Sequence, residues 1–354
     1  MISEAVEFHA SDIHIESLKS GLRCRYRIDG ILEDINPIPQ SLRAAFISHI
    51  KVLADLDIAE KRRPQDGKIK YPNKGGDIDI RVSTIPALHG EKIVLRLLDP
   101  NSETFDIPSL NLESDQKKTL EHYLESKQGI ILVTGPTGSG KTTSLYTMLN
   151  YLNSPEVNIL TVEDPIEYEI EGISQTQVHP VIDYTFANAL RAFLRQDPDV
   201  IFIGEIRDTE TAQIAIRAAL TGHLVLSTLH TNNSIETVSR LLDMGIEPFL
   251  LAASLKLIIA QRLVRTLCQK CVDTPETEKS HCEYCNGRGY RGRRGIFEFL
   301  PITENIRQLI HDGAAHSVFT NLPEISQRTT LEIFGDNLVN QHITSEEEVQ
   351  RVVQ

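Results

Sequence analysis

Short apolar runs alternate with helical apolar patterns along residues 109–354. The runs are predicted strands, at residues 130–133, 158–162, 200–203 and 224–229. A helical pattern follows the first of them, with Leu145, Met148 and Leu149 on one face. Strands separated by helices are typical of a parallel sheet covered by helices, so this part is predicted to be an α/β domain with a parallel-rich sheet.

Residues 1–98 show a different pattern, which predicts a small α/β domain. Residues 22–28 alternate arginines with apolar side chains and then turn at Asp29 and Gly30, which predicts a hairpin with a basic face. Residues 77–85 alternate again, as expected for a strand with one buried side.

Two residues of this small domain are expected in or near its core. Cys24 lies on the apolar side of its strand. His49 lies on the apolar stripe of a helical pattern that starts near Leu42, and is predicted to be a core or boundary residue.

Periodicity is lost at residues 99–108, which predicts a linker. The small domain is then 1–98 and the larger one 109–354. Within the larger one we predict a cysteine subdomain at 267–290 and a helical C-terminal part at 291–354.

Charge and hydropathy narrow the class of protein. The 354 residues carry a net charge of −13, so direct nucleic-acid binding is not expected, since it usually needs a basic face. The most apolar late stretch, residues 249–263, is broken by Lys256 and Arg262, and the first residues lack a basic and then apolar leader. We expect a cytoplasmic protein that reaches a membrane only through partners.

A complete phosphate-loop pattern follows the first strand and leads into a helix. Its glycines allow backbone N–H groups to face phosphate oxygens, Lys141 is placed to reach the β- and γ-phosphates, and Thr142 offers a hydroxyl to Mg²⁺. The pattern predicts an ATP site. The predicted nucleotide-binding residues are Gly135, Pro136, Thr137, Gly138, Ser139, Gly140, Lys141, Thr142 and Thr143.

Polar residues follow each of the other three strands. In an open α/β sheet ligands bind at the carboxyl edge of the strands, so these clusters are expected to form one site. They are Glu163, Asp164 and Glu167; Glu205, Arg207 and Asp208; and Thr228, His230 and Thr231. Glu205 is suited to complete a Mg²⁺ site, and Glu163 and Glu167 are candidates to orient the attacking water. Taken singly, each acid is also typical of a solvated surface or a helix cap, as we predict for Asp208.

Arg191 and Arg195 lie four residues apart on a helical pattern, opposite its apolar face. A guanidinium stabilises the charge that develops on a transferred phosphoryl group. The spacing alone favours ordinary surface arginines, with a subunit interface as the alternative.

Four cysteines form two Cys-x-x-Cys hooks, Cys268 with Cys271 and Cys282 with Cys285. Two such hooks predict a Cys₄ site for structural Zn²⁺, since disulfides are rare in cytosolic proteins. His281 could replace one cysteine, although a neighbouring role is favoured.

The chain resembles the traffic ATPases of type II secretion and type IV pilus assembly over nearly all of its length. The segments that carry the resemblance are 10–16 (ASDIHIE), 163–167 (EDPIE), 194–199 (LRQDPD), 204–208 (GEIRD) and 221–232 (TGHLVLSTLHTN). The resemblance implies a RecA-like ATPase domain preceded by a PAS-like domain, assembled as a homo-hexameric ring. It implies that ATP hydrolysis drives the assembly of pilin-like subunits at the inner membrane.

Site roles follow from the resemblance. Lys141 and Thr142 would hold phosphate and Mg²⁺, Glu205 would complete the metal site, and Glu167 would be the water-activating base within the acidic box. His223 and His230 match the histidine box, in which His230 could sense the γ-phosphate and His223 is as well suited to a structural role. Arginines matching family positions would serve the nucleotide or the subunit interface. They are Arg81, Arg96, Arg191, Arg195, Arg207 and Arg240.

Partners and alternatives also follow. The resemblance implies an inner-membrane platform protein and a cytoplasmic or membrane adaptor of a secretion or pilus machine, with peripheral association to the inner membrane through them. Retraction motors of this fold typically lack the four cysteines, which favours an assembly or export motor.

Relatives often carry a further docking domain, whereas ten residues precede Ser11 here, so we expect either a truncated or a short natural member. The alternatives are a RecA-like DNA translocase, a DNA-uptake motor or a scaffold that binds nucleotide without hydrolysis.

Overall fold

The computed structural model describes residues 1–73, 76–98, 104–274, 280–313, 319 and 322–353. The chain divides into two compact units, Met1–Glu103 and Thr104–Gln354. The predicted linker starts outside the described residues, at 99–103. Its last residues, 104–108, belong to the second unit. Ile107 is buried there at the start of the short 3₁₀ helix Ile107–Leu110, so these residues are part of the folded unit.

The first unit is an antiparallel sheet of six strands with two helices. Its strand order is β3-β2-β1-β6-β5-β4, and every neighbouring pair is antiparallel. The elements are α1 Ile2–Glu7, β1 Ala10–Leu18, β2 Gly21–Ile28, β3 Ile31–Pro39, the 3₁₀ helix Gln40–Leu42, α2 Arg43–Leu53, β4 Gln65–Tyr71, β5 Ile78–Ala87 and β6 Gly90–Leu98. The predicted β2–β3 hairpin is therefore confirmed.

The core of this unit confirms one predicted residue and corrects another. Cys24 is buried, and burial raises the pKa of its thiol to about 11. The prediction for His49 is wrong, because its side chain is exposed. Helix α2 buries Ile47, Ile50 and Lys51 instead, so its buried face is rotated from the predicted apolar stripe. The buried Lys51 amine pairs with the Glu91 carboxylate at 2.7 Å, which offsets the cost of burying its charge.

The second unit is a seven-stranded sheet with helices on both faces. The strand order is β13-β12-β7-β11-β10-β8-β9, in which only the β12–β13 pair is antiparallel. Its strands are β7 Gly129–Thr134, β8 Ile159–Glu163, β9 Ser174–Gln177, β10 Val200–Ile203, β11 Leu224–Leu229, β12 Leu255–Leu267 and β13 Tyr290–Pro301. The four predicted strands are its central members, as an α/β domain with a parallel-rich sheet requires.

The helices form two layers around this sheet. They are α3 Ser114–Leu124, α4 Lys141–Leu152, α5 Phe186–Phe193, α6 Thr209–Leu220, α7 Ser234–Asp243, α8 Pro248–Ser254, α9 Glu304–His311, α10 Pro323–Ser326, α11 Leu331–Asn340 and α12 Glu346–Val353, with a 3₁₀ helix at Pro180–Ile182. Alternate residues of β7 separate the layers: Ile130 packs with α5 to α9, and Ile131 packs with α3, α4, α11 and α12. Strands buried on both faces need continuous apolar runs, which is why the sequence signalled them clearly.

Three strands of the seven-stranded sheet, β9, β12 and β13, lack a continuous apolar run bounded by polar residues and were not predicted. β9 is short and polar, and β12 and β13 carry charged residues within or beside apolar ones. The prediction that 291–354 is helical is wrong up to Pro301, and helices begin again at Glu304. In the part of the chain that the structure describes, no helix combines the length and apolar character that a bilayer crossing requires.

Candidate nucleotide site

The phosphate loop connects the end of β7 at Thr134 to the start of α4 at Lys141. Two of its glycines have positive φ and lie close to strand β12. Gly135 has φ +149°, and a Cβ there would lie 2.5 Å from the Gln261 carbonyl oxygen, a backbone atom, so no side chain fits. Gly140 has φ +86°, a conformation that favours glycine, and its Cβ would lie 2.8 Å from the Gln261 side-chain nitrogen.

Lys141 is the first residue of α4 and is only 9% exposed. Its amine donates to the carbonyl oxygens of Gly135 and Pro136 at 2.8 and 2.9 Å. Burial lowers the pKa of the amine to about 8, and the nearby Glu205 carboxylate opposes that shift. The amine is therefore held over the loop, within the electrostatic reach of Glu205.

The remaining loop residues differ in exposure. Pro136, Thr137 and Gly138 are exposed, while Thr142 and Thr143 are partly buried. The Ser139 hydroxyl is buried and has no hydrogen-bond partner among the described residues. An unsatisfied hydroxyl within a phosphate loop fits a phosphate oxygen as its acceptor.

Glu205 follows β10 and contacts the side chains of Arg207 and His230. Its carboxylate lies 2.5 Å from the Arg207 guanidinium and 3.5 Å from Nε2 of His230, and its side chain is 13% exposed. The hydrogen bond to Glu205 raises the pKa of Arg207. The structure therefore brings together Glu205 and Arg207, predicted at the end of one strand, and His230, predicted at the end of another.

Glu163 ends β8 and is surrounded by neutral donors. Its carboxylate accepts from the Tyr146 hydroxyl, from Thr161 Oγ1 at 2.7 Å and from Gln175 Nε2 at 3.1 Å. Its residue is 3% exposed, and burial raises the pKa of the carboxylate although these hydrogen bonds oppose the shift. Both carboxylate oxygens of Glu163 thus accept hydrogen bonds from protein groups.

Glu167 lies four residues further along the same segment and is partly buried, whereas Asp164 is exposed. The amide N–H of Glu167 donates to the Tyr146 hydroxyl at 3.2 Å. We call residues 163–167 the acidic segment. Helix α4, which begins at the phosphate loop, therefore also contacts this segment.

The segment after β11 is joined to the end of β7 by hydroxyl groups. Thr134 Oγ1 donates to the Leu229 carbonyl oxygen at 3.1 Å and accepts from the Thr231 amide at 3.1 Å. Thr231 Oγ1 lies 2.7 Å from the hydroxyl of Thr237 in α7. These contacts fix the start of the segment beside the phosphate loop.

Arg262 of β12 is a further member of this edge that sequence reasoning did not assign. Its guanidinium donates to carbonyl oxygens of Gln261 at 3.0 Å, Asn232 at 2.8 Å and Val352 at 3.2 Å. Burial lowers its pKa. The sequence did contain a signal for this role of Arg262. An arginine inside the most apolar late stretch, residues 249–263, needs hydrogen-bond acceptors within the protein.

The histidine and arginine candidates of α5, α6 and α7 have partners of different kinds. His223 Nδ1 lies 2.8 Å from the Ala218 carbonyl oxygen, in the turn that closes α6. Arg191 forms an ion pair with Glu210, and Arg195 donates to the Arg191 carbonyl oxygen at 2.7 Å. Arg240 is exposed on α7. Asp208 caps α6 as predicted, since it accepts from the Thr211 amide at 2.8 Å.

Arg81 and Arg96 lie opposite each other on β5 and β6 of the first unit. Arg96 pairs with Asp12 at 3.0 Å. Their role at the nucleotide stays a prediction.

The four predicted cysteines come together between the end of β12 and the start of β13. Their Sγ atoms all lie within 4.8 Å of one another, with Cys268 to Cys282 at 3.9 Å and Cys271 to Cys285 at 3.7 Å. His281 is outside this cluster and contacts Ser280. Four thiols at these distances match the edges of a Zn–S₄ tetrahedron, which are about 3.8 Å for Zn–S bonds of about 2.3 Å.

Comparison with known proteins decides the family. The sequence profile of the Type II/IV secretion system protein family matches residues 1–351. The chain belongs to this family. It is 50% identical to the type II secretion system ATPase E of Vibrio cholerae, over 99% of this chain and 74% of that protein. It is 49% identical to the type II secretion system protein HxcR of Pseudomonas aeruginosa, over 99% of this chain and 76% of that protein.

Solved structures agree with this placement. The pilus retraction motor PilT with bound ADP is 30% identical, with a TM-score of 0.67 over 99% of this chain and 95% of that one. The ATPase DotB of Legionella pneumophila, at 23% identity, shares the fold with a TM-score of 0.75, over 99% of this chain and 94% of that one. The expectation of a secretion ATPase homologous to pilus motors is confirmed.

Proposed function

We propose that this secretion ATPase is a Mg²⁺–ATP-driven homo-hexameric motor that assembles pilin-like subunits for a type II secretion or type IV pilus machine. It would work at the inner membrane through a platform protein and an adaptor. The observation that carries the proposal is the joint placement of Lys141, Glu205 and His230 at one sheet edge, with Glu205 within the electrostatic reach of the lysine. Phosphoryl transfer needs this combination of a cation, a metal-binding carboxylate and a polar group.

Nucleotide and metal would be held by different parts of this edge. The loop N–H groups, Lys141 and the unsatisfied Ser139 hydroxyl suit the phosphates, while Thr142 and Glu205 suit Mg²⁺. Bound Mg²⁺ would neutralise the charge that develops on the phosphoryl oxygens. Glu167 would orient the attacking water. His230, which contacts Glu205, would respond to whether Glu205 binds Mg²⁺.

Binding and turnover on the same preparations test this assignment. Lys141→Ala is expected to lose both ATP binding and hydrolysis, because it removes the cation of the phosphate loop. Glu167→Gln is expected to bind ATP and lower turnover about 100-fold or more. Lys117→Ala is the matched control, since Lys117 is an exposed lysine of α3, and it should behave as wild type. Full turnover in Glu167→Gln would overturn the proposed base.

The ring proposal rests on family membership and on where two arginines lie. Arg207 is already paired with Glu205 of its own chain, whereas Arg240 lies exposed on α7. We therefore place Arg207 within one subunit and Arg240 across a subunit boundary. Arg240→Ala and Lys141→Ala, each inactive alone, should partly restore turnover when mixed into one ring. Demonstrated mixing without restoration would remove the trans role of Arg240.

The tetracysteine cluster would hold one structural Zn²⁺, because four thiolates leave no coordination position open for water. Cys271→Ser is expected to abolish stoichiometric zinc and to destabilise the β12–β13 connection. Cys24→Ser is the matched control, because Cys24 is also buried but lies outside the cluster. Metal analysis checks both, and wild-type protein without about one zinc per chain would refute the site.

A further inference from the structure

Tyr146 is a buried residue of α4 whose hydroxyl joins two parts of the acidic segment. The residue is 0% exposed. Its hydroxyl donates to the Glu163 carboxylate and accepts the amide N–H of Glu167 at 3.2 Å. One oxygen atom thus contacts the first and the last glutamate of the segment.

The same helix begins at the phosphate loop. Lys141 is its first residue and Tyr146 follows five positions later, a rise of about 7.5 Å along a rigid helix. A displacement of the phosphate loop that moves α4 therefore also moves the group that holds the acidic segment.

The ring of Tyr146 is fixed by aromatic neighbours. Its centroid lies 5.5 Å from Phe105, 6.4 Å from Tyr168 and 6.2 Å from Phe202, each in an edge contact. A fully buried ring with these contacts has one orientation available, so its hydroxyl has a defined position.

Glu163 is a rigid acceptor for this hydroxyl, because its other oxygen is held by Thr161 and Gln175. Gln175 also donates to the Tyr168 carbonyl oxygen at 3.0 Å. The segment is therefore pinned near its start, near Glu167 and just beyond it.

We propose that Tyr146 is a positioning residue for ATP hydrolysis, whose hydroxyl fixes the backbone of Glu167 relative to the phosphate loop. Glu163 serves as the anchor of that hydroxyl. The inference rests on the proposed role of Glu167, and a separate variant tests that role.

Removal of the single hydroxyl is the direct test. Tyr146→Phe keeps the ring and leaves the phosphate loop unchanged. We expect kcat for ATP to fall about 10-fold or more, with KM and the Kd of ADP within about 2-fold of wild type, because a misplaced base affects the transition state and leaves ground-state binding intact. Tyr26→Phe is the matched control: its hydroxyl, in the first unit, is equally buried and lies 2.8 Å from both a Glu4 carboxylate oxygen and the Met1 carbonyl oxygen.

Each of the following outcomes overturns the inference. One is a kcat in Tyr146→Phe within about 2-fold of that in Tyr26→Phe. Another is an ADP Kd that rises in proportion to the loss of kcat, because the hydroxyl would then act on the phosphate loop. The third needs no variant: the Glu167 amide of the wild-type protein should exchange its hydrogen slowly, and exchange at the rate of an unprotected amide would show that the hydrogen bond does not hold.

The proposed role of Glu167 fails differently. If Glu167→Gln retains full turnover, the base is misassigned, whatever Tyr146→Phe shows. If Glu167→Gln is inactive and Tyr146→Phe is fully active, the base stands and the positioning role is overturned. In the double variant Tyr146→Phe with Glu167→Gln, the loss should not exceed that of Glu167→Gln alone, because the two changes act on one step. Additive losses contradict the inference.

Discussion

Two glutamates follow neighbouring strands of one sheet and have opposite surroundings. Glu163 ends β8 and Glu205 follows β10, and these strands pair in parallel register. Glu205 contacts the charged or chargeable side chains of Arg207 and His230 and stays partly accessible. Glu163 is closed in by Tyr146, Thr161 and Gln175.

This difference separates two tasks for the same side chain. A carboxylate that stays partly accessible can accept a hydrated metal ion and release it. A carboxylate whose oxygens are saturated by protein donors cannot bind metal without breaking those bonds, and is suited to hold a segment in place. We therefore propose that Glu205 serves to bind the metal ion and that Glu163 serves to position the segment.

The largest expected effect comes from Glu205→Gln. It keeps the size of the side chain and removes the negative charge, so kcat should fall about 1,000-fold while ADP still binds. Glu332→Gln, at an exposed position of α11, is the control and should match wild type. A steady-state ATPase assay with a parallel ADP titration measures both. A kcat within about 3-fold of wild type would place the metal elsewhere.

Glu163→Gln should have a smaller effect. Glutamine keeps one acceptor oxygen, replaces the other with an NH₂ donor and removes the charge that strengthens these hydrogen bonds, so we expect kcat to fall about 10-fold with KM unchanged. The same assay checks this. A fall in kcat as large as that of Glu205→Gln would mean that Glu163 acts on the reacting groups directly. It would contradict the proposed difference in role between the two glutamates.

Gly204→Ala sharpens the comparison by disturbing both glutamates together. A Cβ at Gly204 would lie 3.3 Å from the Glu163 Cα and from the Val162 carbonyl oxygen, which are backbone atoms that cannot turn aside. We expect a loss of about 1–2 kcal/mol in the free energy of unfolding, measured by denaturant titration. Wild-type stability and turnover together would show that the strand ends are not tightly coupled.

The smallest effect is a dependence of stability on pH. Burial raises the pKa of folded Glu163 above its ordinary value of 4.5, so folding with an ionised carboxylate is unfavourable above that pKa and the penalty disappears as pH falls towards 4.5. Glutamine does not titrate. The stability of Glu163→Gln relative to wild type should therefore rise as pH increases from the ordinary value through the raised one. Denaturant titrations across this range check the sign, and a relative stability that falls with pH contradicts the burial account.

The sequence predicted the central sheet because β7, β8, β10 and β11 are short apolar runs buried on both faces. The edge strands β9 and β13 escaped prediction, since partial exposure leaves their pattern weak. Long-range pairing also placed β12 against the phosphate loop, which no local pattern could indicate.

For the site, the strand ends that the sequence indicated are confirmed, and the roles of their residues stay predictions. It grouped Glu163 with Glu167 as a candidate to orient the attacking water, and did not indicate that Glu163 is enclosed by protein donors while Glu205 is not. The difference comes from Tyr146 and Gln175, which are 17 and 12 residues away from Glu163 in sequence. Their part in the site depends on packing between elements, which a single sequence does not report.

The Mg²⁺ dependence of nucleotide binding tests the division between the two glutamates most directly. A non-hydrolysable ATP analogue would be titrated into wild type, Glu205→Gln and Glu163→Gln at a series of Mg²⁺ concentrations. The account predicts that Mg²⁺ strengthens analogue binding in wild type and in Glu163→Gln, and does so about 10-fold less in Glu205→Gln. Equal Mg²⁺ dependence in both variants, or an effect confined to Glu163→Gln, would contradict it.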